Sequence, residues 1–173
     1  MLPYRGWKLG SVAVLVLSMV LLAASNELAA AGKSDEAQKY ADDLKTSKDP
    51  AVRATALLEL GKLGQLMKSL VKPALPDMVA ALQDKDPTVR AAAARAIGMI
   101  DPDPKEALPA LLKLTKKDQP EAVRMAAIRG LAAMGPTAKD AMKDLRDIMK
   151  AEDKDSKVGR AANDAMRSIN PKN

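Results

Sequence analysis

The stretch "DKDPTVRAAAARAIGMI", Asp84 to Ile100, decides the fold. An acid and a proline open it, Val89-Arg90 follows, and the remainder is mostly alanine and aliphatic. Asp86 can accept hydrogen bonds from the first free amides of a helix. Pro87 stands at the first helical position, where a missing N–H costs nothing. Val89, Ala93, Ile97 and Ile100 lie at offsets 0, 4, 8 and 11, which trace one face of an α-helix.

The segment recurs. Val52-Arg53, Val89-Arg90 and Val123-Arg124 share the dipeptide, and Val158-Gly159-Arg160 is a weaker fourth copy. Four residues after each valine stands Ala56, Ala93, Ala127 or Ala162. Eight after stands Leu60, Ile97, Leu131 or Met166, and eleven after stands Leu63, Ile100, Met134 or Ile169. Asp49-Pro50 repeats the opening device and Gln119-Pro120 is a weaker version of it. Gly135-Pro136, Asp101-Pro102 and Asn170-Pro171 are helix stop signals. Second helices are therefore expected near 50–63, 87–100, 120–134 and 156–169, with alanine at the inner positions letting neighbours approach closely.

Each of these helices has a partner before it. Ala74-Leu75-Pro76-Asp77-Met78 and Ala107-Leu108-Pro109-Ala110-Leu111 match, and Ala141-Met142-Lys143-Asp144-Leu145 is a third version. Pro76 and Pro109 predict a bend near the helix start. Ser34 to Thr46 reads as the first-repeat partner, and Gln65 to Val71 as an inserted helical turn. The unit is helix–turn–helix, repeated four times. One pair cannot bury its apolar face alone, whereas stacked pairs make a continuous core. The expected fold is all-α, an α-solenoid of about four stacked repeats.

These residues resemble the HEAT repeat, in particular the short HEAT-like version named after phycobilisome lyases, whose pattern runs A-L-P-x-L…D-x-x-V-R-x-x-A-A-x-A-L-G. Ala74 to Gly98 and Ala107 to Gly135 carry the match, and the resemblance covers about residues 34–170. It implies that the second helices line a concave face. Positions pointing away from the apolar stripe then include Thr55, Ala92 and Met125, Arg95 and Arg129, and Lys62 and Met99. Thr55, Lys62, Arg95, Met99, Met125 and Arg129 are the candidate partner-binding residues. Exposed methionine suits adaptable contacts. Arg53, Arg90 and Arg124 share one repeat position and form a ladder. One reading makes it a groove for anions; the structural reading, adopted here, has each arginine tie the turn acids Asp49 or Asp86 between repeats.

The N-terminus is different in kind. Arg5 and Lys8 precede Val12 to Ala24, thirteen residues with only Ser18 polar, and Ala29-Ala30-Ala31 follows. A positive start, a short apolar core and an A-x-A exit match a secretory signal peptide over residues 1–31, cleaved after Ala31 or, as second choice, after Ser25. A retained anchor is the alternative, although the run is shorter than the roughly 17–25 residues a spanning helix needs. The repeat domain would then be 32–173, exported to the periplasm or secreted, with membrane contact only if the segment is retained.

Composition limits the chemistry. The 173 residues include no Cys and no His, so disulfides, thiol chemistry and histidine-based catalysis or metal ligation are excluded. Removing residues 1–31 takes Lys+Arg from 28 to 26 and Asp+Glu from 22 to 21, leaving +5 and one aromatic, Tyr40. Asp101-Pro102-Asp103-Pro104 reads as a helix cap by Asp103, not a cation loop. Glu152-Asp153-Lys154-Asp155 reads as a solvated turn. No catalytic residue, metal or cofactor is expected. The expected function is an exported, non-enzymatic, monomeric scaffold that binds a protein or peptide. A bilin lyase or isomerase would have to cradle a tetrapyrrole with one aromatic, and a nucleic-acid binder would lack stacking aromatics.

Overall fold

The structure, a computed structural model, describes residues 27, 31–100, 103–153 and 156–170. The chain divides into two compact units, Met1–Glu36 and Ala37–Asn173. In the first, residues 27 and 31–36 are helical and exposed. The signal-like segment otherwise lies outside the described residues, as do Asp101, Pro102, Lys154, Asp155 and Pro171.

The second unit is a series of helices, and no strand occurs among its described residues. Residues 37–46 form α1. Then come α2 (Pro50–Leu66), α3 (Lys68–Val71), α4 (Leu75–Ala80), α5 (Pro87–Ile100), α6 (Pro104–Leu114), α7 (Glu121–Met134), α8 (Met142–Ala151) and α9 (Lys157–Ile169). The second helices α2, α5, α7 and α9 pack on one another in series. The first helices lie against them.

Local chemistry sets the ends. Asp49 Oδ1 accepts from the Ala51 amide at 2.8 Å, Asp86 Oδ1 from Thr88 at 2.8 Å and Asp103 Oδ1 from Lys105 at 2.9 Å. The Thr88 hydroxyl and the Thr88 amide hold the Asp86 carboxyl below the usual carboxylate range. Ser156, an unexpected cap, accepts from the Gly159 amide at 2.9 Å. Pro120 precedes α7 with no side-chain cap, in line with its weaker signal. At the end of α7, Gly135 takes φ +57°, a left-handed conformation that disfavours side chains.

The first helices are less regular than their sequence match implies. Residues 68–83 alternate α and 3-10 geometry, with 3-10 turns at Lys72–Ala74 and Ala81–Gln83. Pro73 and Pro76 are each the second residue of a new segment, and neither can donate a backbone hydrogen bond to the preceding turn. Pro109, by contrast, sits inside an unbroken α6. The expected inserted turn is α3.

One apolar core runs through the unit. Val89, Ala93 and Ile97 are fully buried, as are Ala127 and Leu131 one repeat on and Ala56 and Leu60 one repeat back. Each large aliphatic side chain so buried contributes about 1.5–3 kcal/mol. At the ends the stripe weakens: Val52 is 38% exposed and Met166 is half-buried. Terminal repeats have a neighbouring repeat on one side only. The centre shows the reverse departure. Ala92, read as pointing outward, is 5% exposed, because α5 is packed between α2 and α7 and buries eight of its 14 residues.

The seams between second helices follow a rule of their own. Gly61 and Gly98 both stand nine residues after the anchor valine. A Cβ on Gly61 would lie 3.0 Å from Ala96 Cα, and one on Gly98 would lie 2.7 Å from Gly130 Cα. Ala96 and Gly130 both stand seven residues after theirs. Position nine of one repeat thus meets position seven of the next, with backbone against backbone.

Candidate partner-binding site

At the third seam position nine is Ala132 and position seven is Ala165. An alanine replaces the glycine of the first two seams. A groove of about 360 Å3 opens here between α7 and α9. Met125, Arg129 and Ala132 line one wall; Lys157, Arg160, Ala161, Asp164, Ala165 and Ser168 line the other. Arg129, Arg160 and Asp164 are exposed. Lys157 is drawn toward Glu121, Nζ to Oε1 3.6 Å, in a solvated pair. The groove has an apolar floor of alanine and methionine carbon and a rim that is positive on balance.

Of the six candidate residues, the structure brings Met125 and Arg129 together in this groove. Thr55 is exposed on α2 and its hydroxyl donates to the Ala51 carbonyl at 2.9 Å. Lys62 is exposed and its Nζ donates to Glu59 Oε1 at 2.6 Å. Arg95 is exposed on α5, and Met99 is half-buried beside Gly61 at the α2–α5 seam. These four lie on the same helical layer without lining the groove. Arg160, Asp164 and Ser168 were not among the candidates. Their signal was available: Arg160 stands two residues after Val158, as Met125 stands two after Val123.

The arginine ladder is structural at two of its three rungs, with different partners from those expected. Arg53 donates from Nε to Asp84 Oδ2 and from Nη2 to Asp84 Oδ1, both at 3.0 Å, and from Nη1 to the carbonyls of Ser47 and Lys48. The acid is Asp84 of the next repeat, not Asp49 or Asp86, which are occupied in capping. Arg124 donates from Nε to the Thr115 carbonyl at 3.0 Å and from Nη2 to Glu152 Oε1 at 2.6 Å. Glu152 is therefore an inter-repeat anchor, not part of a solvated turn. Both arginines are 8% exposed. Burial works against the charge of Asp84, but the Arg53 fork and the Asp86 amide outweigh it and hold the carboxyl below its usual range. The Asp84 hydrogen bond correspondingly raises Arg53.

Among the described residues, no cluster of Asp and Glu is arranged to hold a metal ion, and no helix is long and apolar enough to cross a membrane. The family model for HEAT repeats matches residues 37–132 and again 108–172. The chain belongs to the HEAT-repeat family. No curated protein matches it.

Proposed function

We propose that the protein is a non-enzymatic HEAT-repeat scaffold that binds a protein or peptide along the face of its second helices, with α7 and α9 as the principal contact. The groove between them carries the reading. Its alanine and methionine floor offers apolar contact, and Arg129 and Arg160 on its rim favour an acidic partner. Solenoids present extended surfaces of this kind. The absence of His and Cys from the sequence supports a binding role over catalysis, and the single aromatic of the repeat domain supports a protein partner over a nucleic acid or tetrapyrrole. We place the repeats in the short lyase-type subclass on the A-L-P…V-R pattern, and the domain outside the cytoplasm on the signal-like residues 1–31.

The test is affinity capture from the native envelope fraction with wild-type and Arg129→Glu/Arg160→Glu baits. The double variant should lose the partner while its stability stays within about 0.5 kcal/mol, as for ordinary surface changes. Equal capture by both baits removes the groove from the reading. N-terminal sequencing of the exported protein should find a start near Gly32; recovery of intact Arg5 to Ala31 in the membrane pellet favours the retained anchor.

A further inference from the structure

The middle rung of the arginine ladder differs from its neighbours. Arg53 and Arg124 each join a carboxylate of the following repeat. Among the described residues, Arg90 donates from Nη1 alone, to the carbonyls of Asp84 at 2.8 Å and Lys85 at 3.0 Å. Its Nε is buried and, among the described residues, has no hydrogen-bond partner. The residue in register with Asp84 is Asp118, five before Val123 as Asp84 is five before Val89; it is exposed, and the Arg90 hydrogen bonds among the described residues go to the Asp84 and Lys85 carbonyls instead. Gln119 Oε1, on the same turn as Asp118, is likewise buried and without a hydrogen-bond partner among the described residues.

Arg90, Asp118 and Gln119 line one cleft of about 560 Å3 at the turns of the second and third repeats. Lys85, Lys113 and Lys116 line it too. The four cations face two carboxylates, and one of those, Asp84, is already held by Arg53. We propose that this cleft binds an acidic peptide segment of another chain, whose Asp or Glu carboxylate pairs with the Arg90 guanidinium once that half-buried side chain turns its covered Nε toward the cleft, completing the ladder from outside. Carboxylates fill this rung position in the two neighbouring repeats, which fixes the chemistry. A guanidinium fork and a carboxylate match in geometry. The three lysines attract acidic neighbours in the same segment. The cleft lies at the intra-repeat turns and shares no residue with the α7–α9 groove.

The Arg90 Nε–H resonance of the full-length, nitrogen-15-labelled chain provides the readout. The probes are a blocked Gly-Glu-Gly-Glu-Gly peptide, its Gln counterpart, acetate and inorganic phosphate. The Glu peptide should move the resonance saturably, the Gln peptide should not, and both free anions should bind more weakly. Arg90→Gln and Arg90→Lys have no such resonance and are followed by isothermal titration calorimetry, in which Arg90→Gln should weaken the Glu peptide about tenfold or more, the scale of one or two charge-assisted hydrogen bonds. Arg90→Lys should restore only part, because it returns the charge without the fork. Lys113→Gln/Lys116→Gln should weaken binding severalfold with unchanged melting, which keeps the test intact should Arg90 variants misfold. Arg129→Glu/Arg160→Glu should leave this binding unaltered, so its failure and that of the groove are distinguishable. Three results overturn the proposal. One is no saturable shift with the Glu peptide. Another is phosphate or acetate binding as tightly as the peptide. The third is a move of the Arg90 resonance in Asp118→Asn without any ligand, which would show Asp118 closing the rung from within.

Discussion

Asp84 accepts from the Nε–Nη2 edge of Arg53 and from the Asp86 amide, and its side chain is only 15% exposed. Asp84→Asn removes the charge and leaves a buried guanidinium facing an amide. The expected cost is about 1.5–3 kcal/mol, that of a hydrogen bond to a charged group, read by urea denaturation at neutral pH. The carboxyls of Asp84 and Asp86 are lower in the folded chain than in the unfolded one. Between the two values the unfolded chain binds more protons, so their stabilisation is complete above the ordinary Asp value of about 3.9 and is lost as pH falls through the lowered one. Asp84→Asn should therefore flatten the acid limb of the stability curve below about pH 4. An unchanged limb would mean that Asp84 does not contribute to it. Alanine bulk is felt at the same scale. Ala93 is fully buried and Ala92 nearly so, so Ala92→Leu and Ala93→Leu should each cost about 1–3 kcal/mol by overpacking. A Cm for Ala92→Leu equal to wild type would contradict the burial of that face.

Between elements the decisive contacts are those of glycine with backbone. In an exposed helix, replacing Gly by Ala is worth up to about 1 kcal/mol of added stability. At Gly130 the sign should reverse. A Cβ there meets the Ala94 carbonyl oxygen of α5, which belongs to a helix backbone and cannot rotate away. Gly130→Ala should lower stability by about 1–3 kcal/mol, the usual range for overpacking, with helix content by circular dichroism retained. A gain in stability would mean that the α5–α7 seam is looser than described. No single helix contains the information for this seam. The offsets 0, 4, 8 and 11 were legible because they follow the period of one helix, and they placed Ala93, Ile97 and Leu131 in the core. The pairing of position nine with position seven depends on the register of two helices, so Gly98 against Gly130 was hidden. Ala92 was misread for a related reason. Alanine is compatible with either face, and its burial follows from α5 having a second helix on each side. In the candidate groove, Met125 and Arg129 could be read from offsets alone. That they meet Arg160 and Asp164 there, while Arg95 stands apart, depends on helix spacing at a seam where alanine replaces glycine.

At the scale of the whole repeat unit, stability is expected to follow a chain of neighbours. Each repeat packs on the next through its second helix, and non-adjacent second helices share little. In such a stack, stability is close to a sum of repeat and interface terms. Removing residues 136–173 deletes α8 and α9 with the single seam they form on α7. It also deletes Glu152, but Arg124 is then uncovered on that side and recovers water in place of its carboxylate. The remainder keeps the seams at Gly61–Ala96 and Gly98–Gly130. The truncated chain should stay helical, unfold at lower urea, and show an m-value reduced in proportion to the surface no longer buried. A change at the centre should act differently. Ala96 is fully buried beneath Gly61, between the first and third repeats. Ala96→Glu forces an unpaired carboxylate into the seam, where the group must either shift its titration or open the packing. It should separate the first repeat from the rest and broaden or split the urea transition. A truncated chain without helical signal, together with an unchanged transition for Ala96→Glu, would overturn the nearest-neighbour description.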